Sequence, residues 1–166
     1  MGKIIFSVVL FCNTCLFSQT VSDYYILAEG KVKNNDYQEA IDIYTKVIES
    51  NPEDSFAYFG RGLSKMSLED YQSAINDFNL ALQFNPDNPE IFFDRAVSKG
   101  KMKDFFGAIY DYDRVLEYDP QNVRAYFNRG LAKIDFNQKD SGCLDLKKAS
   151  EMGYSASNKM FQKYCK

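Results

Sequence analysis

At 166 residues the chain can form one domain with its own core or a short array of repeats. Its 45% hydrophobic and 26% charged residues exclude a disordered polymer, and 16% aromatic content with 12 Tyr, 14 Phe and no Trp demands a fold that buries many rings. A net charge of −3, with 20 basic residues scattered among 23 acidic ones, provides no concentrated positive field for phosphate backbones, so no nucleic-acid partner is expected.

The chain opens with one basic residue in MGK, an apolar run IIFSVVLF, and then the small and polar CNTCLFSQT before a helical pattern starts near Ser22. This order is that of a secretory signal peptide over residues 1–18, with Ser18 before the cut and Gln19 as the new N-terminus. The run falls short of the roughly 20 residues a spanning helix needs, so no transmembrane helix is expected in the mature chain, and the expected location is exported: periplasmic, cell-envelope or secreted. Cys12 and Cys15 have redox-motif spacing but lie in this leader, where no enclosing fold lowers a thiol pKa. Phe11 and Thr14 precede these cysteines, which disfavours a lipoprotein signal.

From Val21 onward one module recurs. Pro52, Pro86 and Pro120 are spaced by 34 and 34 residues and close the segments DYQEAIDIYTKVIESNP, DYQSAINDFNLALQFNP and DFFGAIYDYDRVLEYDP. The upstream half of each module starts on an aromatic, Tyr24, Tyr58, Phe92 or Tyr126, followed four residues later by Ala28, Gly62, Ala96 or Gly130. In the downstream half Ala40, Ala74 and Ala108 precede Tyr44, Phe78 and Tyr112 by one helical turn, which places small and large residues on one face. Asp36, Asp70 and Asp104 stand where an Asx side chain caps a new helix, and Pro89 falls in the first turn of another, where its missing N–H costs little. Two helices per module follow.

The pattern resembles the tetratricopeptide repeat family, whose units are 34-residue helical hairpins. The family's aromatic, small, small, aromatic, small and proline positions are Tyr58, Gly62, Ala74, Phe78, Ala81 and Pro86 in the best unit. The resemblance implies an all-α, right-handed α-solenoid with units at residues 21–54, 55–88 and 89–122, and a divergent fourth at 123–154 with Gly142 for alanine and Tyr154 for proline. A capping helix over residues 155–166 then shields the last apolar face. Gly153 would stop the preceding helix, so that Cys143 and Cys165 reach the same level of a helical hairpin; a disulfide and two buried thiols are both compatible with that placement.

Two polar columns change together along the repeat. Arg61, Arg95 and Arg129 recur with Asp77, Asp111 and Asp145, whereas the first unit has Leu27 and Ile43 in those places. This covariation within one chain predicts pairs Arg61 with Asp77, Arg95 with Asp111, and Arg129 with Asp145, in preference to a ladder of arginines reading acidic ligands. The lysine column Lys31, Lys65, Lys99 and Lys133 is read as a solvated or snorkelling face.

In family terms the concave side carries Tyr25, Phe59, Phe93 and Phe127 in one column and Glu29, Leu63, Val97 and Leu131 in the next. Such a groove suits an extended or helical peptide with apolar anchors, while packing of the same rings between units is the alternative. The family's carboxylate clamp is not supported: its places are Tyr25, Glu29, Gly60, Glu90 and Asp94, or, one unit on, Phe59, Leu63, Asp94, Arg124 and Asn128, with one basic residue.

With no histidine there is no His general base, triad or His metal site; no glycine loop cradles a phosphate, and the acidic stretches lack the ligand order of a calcium loop. No metal or cofactor is expected. The chain is read as an exported, non-catalytic scaffold for a protein or peptide partner. A structural or self-associating repeat is the alternative, and a carboxylate-based enzyme a remote one.

Overall fold

The computed structural model describes residues 20–166, so the expected signal peptide over residues 1–18, with Cys12 and Cys15, lies outside the described residues. These fold into α1 (Val21–Lys33), α2 (Tyr37–Ser50), α3 (Ser55–Ser67), α4 (Tyr71–Phe84), α5 (Pro89–Lys101), α6 (Phe105–Tyr118), α7 (Val123–Asp135), α8 (Lys139–Glu151) and α9 (Ser155–Cys165), with no strand among the described residues. Each helix packs chiefly on its neighbours in sequence; in addition α3 meets α5 and α5 meets α7. That second set of contacts brings the first helices of successive hairpins side by side, giving an α-solenoid whose inner face they line.

The turns inside the hairpins repeat as closely as the helices. Asn35, Glu69, Lys103 and Asn137 all lie in the left-handed region, at φ of 63°, 63°, 64° and 62°. The next residue's N–H returns to a helix carbonyl five residues back: Asp36 to Lys31, Asp70 to Lys65, Asp104 to Lys99 and Gln138 to Lys133. This is the Schellman closure, made here without glycine. After α8 the same closure uses Gly153 at φ +90°, with Tyr154 N–H donating to the Ala149 carbonyl.

Helix starts depart in part from the expected caps. Asp70 accepts from Ser73 N–H and Asp104 from Gly107 N–H, but Asp36 makes no side-chain cap bond. The caps of the first helices of units two to four come from the inter-unit loops instead: Asp54, Asn88 and Asn122 accept from Ala57, Glu90 and Ala125. Pro89 occupies the first turn of α5.

The core runs along the stack as two linked clusters. One spans α3 to α7 around Phe78, Ile91, Phe92 and Tyr112; the other joins Ala28, Tyr44 and Val47 to Ala57 of the next hairpin, and Ile48 packs against both. Each fully buried large side chain contributes about 1.5 to 3 kcal/mol. A hairpin therefore draws much of its stability from the one beside it.

At the C-terminal end the sulfurs of Cys143 on α8 and Cys165 on α9 are bonded, with Cα atoms 5.7 Å apart. Ser157 is buried and donates its hydroxyl to the Leu146 carbonyl at 2.6 Å, which fixes α9 against α8.

Candidate functional site

Each arginine of the 34-residue column ties three helices together. Arg61 on α3 donates through Nε and Nη2 to both oxygens of Asp77 on α4, at 3.0 and 2.8 Å, and through Nη1 to Thr45 Oγ1 on α2 at 3.2 Å. Arg95 repeats this with Asp111 at 2.9 and 2.6 Å and with Asn79 at 2.7 Å. Arg129 repeats it with Asp145 at 2.8 and 2.7 Å and with Asp113 at 2.6 Å. The guanidinium also lies over the ring one turn earlier, Tyr58, Phe92 or Tyr126, at 5.4 to 5.5 Å from its centre. All three guanidinium nitrogens donate within the protein, so these arginines bind the hairpins together and do not present a row of anion receptors.

The lysine column differs from the expected solvated face. Lys65, Lys99 and Lys133 each donate to the same aspartates at 2.8 Å, so Asp77, Asp111 and Asp145 each hold two cations. Burial explains the choice, because these carboxylates are 0 to 8% exposed and need full compensation. Lys31 has no aspartate across from it, since Ile43 fills that place, and it turns to Glu39. The Thr45, Asn79 and Asp113 contacts were legible as a polar column at the same spacing, 16 residues before each arginine.

On the inner face the aromatic column forms walls. Tyr25 stands edge-on to Tyr44, Phe59 tilts against Phe78, Phe93 stands edge-on to Tyr112 and Phe127 stands edge-on to Tyr154, with ring centres 5.0 to 6.1 Å apart. Phe93 is buried and the other three are half-buried, so the rings do not make a continuous exposed strip. The Tyr25 hydroxyl donates to Asp54 at 2.7 Å; burial, and then Asp54, push its phenol well above the ordinary value. Beside the rings, Leu63, Val97 and Leu131 are half-buried and Glu29 is exposed.

Between these walls three clefts open. Glu29 and Leu63 border one of about 240 Å³ between α1 and α3, and Val97 and Leu131 border one of about 400 Å³ between α5 and α7. The largest, about 480 Å³, lies between α3, α5 and the start of α7 and is lined by Phe59, Leu63, Pro89, Glu90, Phe93, Asp94, Asp119, Asn122 and Arg124. Tyr25 and Phe127 border none of the three. The Arg124 guanidinium lies on the Phe93 ring, 4.5 Å from its centre. Burial pushes the Asp94 carboxyl up to about 6, against the pull of Arg124 and with a further push from Glu90. Glu90, Asp94 and Arg124 of this polar rim stood in the sequence among the places of the family's clamp, where they were read only as arguing against a bound carboxylate.

Two family models match the chain, one described as a tetratricopeptide repeat over residues 27–89 and one as a TPR repeat over residues 101–134. The chain belongs to the tetratricopeptide repeat (TPR) family. Solved TPR structures superpose on it. MamA from Desulfovibrio magneticus RS-1, residue 41 to the end, is 18% identical with a TM-score of 0.78, over 87% of this chain and 93% of that one. A MamA crystal structure is 21% identical with a TM-score of 0.77, over 84% and 81% of the two chains. The first TPR domain of Spaghetti (RPAP3), bound to an HSP90 peptide, is 26% identical with a TM-score of 0.69, over 72% of this chain and 95% of that one. The MamA likeness is one of fold. No curated protein matches the sequence. As a TPR solenoid the chain has the architecture of a protein-interaction scaffold.

Proposed function

We propose that this TPR protein is an exported, non-catalytic scaffold that holds a peptide segment of a protein partner along its inner face. The observation that carries the reading is the cleft of about 480 Å³ between α3, α5 and α7, apolar on its walls and charged on its rim. The neighbouring clefts at Glu29 and Leu63 and at Val97 and Leu131 extend it along the same face, as an extended ligand requires. The RPAP3 domain is bound to the HSP90 peptide SRMEEVD, which supports a peptide occupant for this fold. Export is supported by the leader at residues 1–18 and by the Cys143–Cys165 bond, since disulfides persist in oxidising compartments.

The test is a display library of random peptides of about nine residues, long enough to span neighbouring clefts, panned on the chain from Gln19 onward. Peptides retained by the wild type and lost with a folded Leu63→Asp variant are the expected result. Equal retention by both would contradict the groove. N-terminal sequencing of the protein recovered from its native host tests export, with a start at Gln19 expected and a start at Met1 against it.

A second reading, self-association, is favoured by the open end of the stack. A Cβ at Gly60 would meet the Tyr44 ring at 2.5 Å, so that position faces the preceding hairpin. Ile26 holds the equivalent place in the first unit and is 69% exposed, beside Leu27 at 43%. Sedimentation of the wild type and Ile26→Glu separates the readings: a dimer abolished by the change supports pairing through α1, and a monomer in both excludes it.

A further inference from the structure

Asp94 contrasts with the other aspartates of the solenoid's interior. Asp77, Asp111 and Asp145 each carry an arginine and a lysine at 2.6 to 3.0 Å. Asp94 is half-buried beside the apolar walls of Phe59 and Phe93, yet among the described residues no side chain or backbone N–H donates to its carboxylate and no cation lies within ion-pair distance. Its oxygens keep some contact with water, and a partly desolvated carboxylate without a donor costs free energy in the free chain. Around it stand Glu90 on its own helix, Asp119 on the turn into α7, Tyr112 on α6 and Arg124 on α7, while α3 contributes the neutral Phe59 and Leu63. Three carboxylates, Glu90, Asp94 and Asp119, thus line the cleft with one guanidinium, which lies 4.5 Å from the centre of the Phe93 ring, and Asp119 already accepts from the Gln121 N–H.

We infer that the cleft between α3, α5 and α7 is a subsite for a basic side chain, Lys or Arg, of an extended peptide. The ligand's cation lies against Asp94 and Glu90, and its methylene stem lies against Phe59 and Leu63. This inference rests on the peptide-groove reading and adds the chemistry of its occupant. An acidic side chain or a free C-terminal carboxylate would meet Glu90 and Asp94 with Arg124 as the single compensating charge, so the charge balance selects for cations. Asp94 titrates at about 6 in the free chain, so a bound cation must displace a proton below that pH. Binding therefore weakens about tenfold between about pH 7.5 and about pH 5, the direction opposite to that expected for an anionic ligand held by Arg124.

The experiment is the same random peptide library panned on the chain at both pH values, with Asp94→Asn and Glu90→Gln run beside the wild type and each checked for native helicity. Enrichment of Lys or Arg between apolar residues at the higher pH, lost in Asp94→Asn and reduced in Glu90→Gln, is the expected outcome. Enrichment of Asp, Glu or free C-terminal carboxylates, or no charge preference, overturns the cationic subsite while leaving the groove standing. Basic enrichment that persists undiminished in Asp94→Asn also overturns it. Recovery of no peptide at all overturns the groove reading itself.

Discussion

Asp77 accepts from Arg61 and Lys65 and is 3% exposed, so removing its carboxylate strands two cations at a helix interface. Asp77→Ala should destabilise by about 3 to 5 kcal/mol in urea unfolding. The Arg61→Leu, Asp77→Ile double variant copies the first unit's Leu27 and Ile43; Lys65, already 21% exposed, can turn to water as Lys31 turns to Glu39. Its loss should stay under about 1.5 kcal/mol, and equal losses in the two variants would refute a mutually compensating pair. Asp94 behaves oppositely. Its folded midpoint of about 6 lies above the ordinary carboxylate value, so the folded chain binds the proton more tightly than the unfolded chain. The wild type then loses stability as pH rises from about 4 to about 6 and levels off above that. Asp94→Asn should be more stable than the wild type at neutral pH, by on the order of 2 kcal/mol, with the gain vanishing near pH 4. A variant less stable than the wild type at neutral pH would mean that the carboxylate has a donor in solution. At this scale the Arg and Asp columns were readable because they change together in the first unit. The lysines were not, because Lys31 keeps its identity while its partner changes, so identity alone hides what the ammonium touches.

At the scale of helices, the fourth hairpin's departure from the repeat has a physical cause. A Cβ at Gly142 would meet the Gly130 carbonyl oxygen at 2.6 Å and Ile134 Cγ1 at 2.8 Å, and one at Gly130 would meet the Gly142 oxygen at 2.9 Å. The backbones of α7 and α8 touch there, where Ala40, Ala74 and Ala108 occupy the other units. Gly142→Ala restores the repeat residue and adds about 1 kcal/mol of helix propensity, yet it should still destabilise by about 1 to 3 kcal/mol, since the two helices must separate. A rise in the thermal midpoint would show that the approach is not tight. The cap of α9 depends on the Cys143–Cys165 link, which closes a segment of 22 residues. Cys143→Ala should lower stability by roughly 3 kcal/mol and speed amide exchange in α9 before α1 to α6; uniform loss across all helices would contradict a local staple. The all-helical repeat of hairpins was legible from proline and alanine spacing. The failed Asp36 cap was not, since Asp36, Asp70 and Asp104 share one residue type in one register and differ only in what the turn lets the side chain reach.

Across the whole molecule, contacts run from each helix to its sequence neighbours, with first helices touching along the inner face. Such a stack is stabilised hairpin by hairpin, and its two ends differ: α9 closes one through Ser157 and the disulfide, while α1 leaves Ile26 and Leu27 exposed at the other. The periodicity that revealed the solenoid could not reveal its clefts. The register that groups Phe59, Leu63, Asp94 and Arg124 is in the sequence, but whether a cleft opens among them depends on how far adjacent first helices diverge. The measurement that tests the account most directly is residue-resolved amide mapping of the chain with a library-selected peptide bound. The account predicts perturbation of Leu63, Phe93, Asp94 and Arg124 and of their neighbours on α3, α5 and α7, with α4 and α6 unchanged on their outer faces. Perturbation confined to the outer faces of the second helices, or to α1 at the open end, would contradict it.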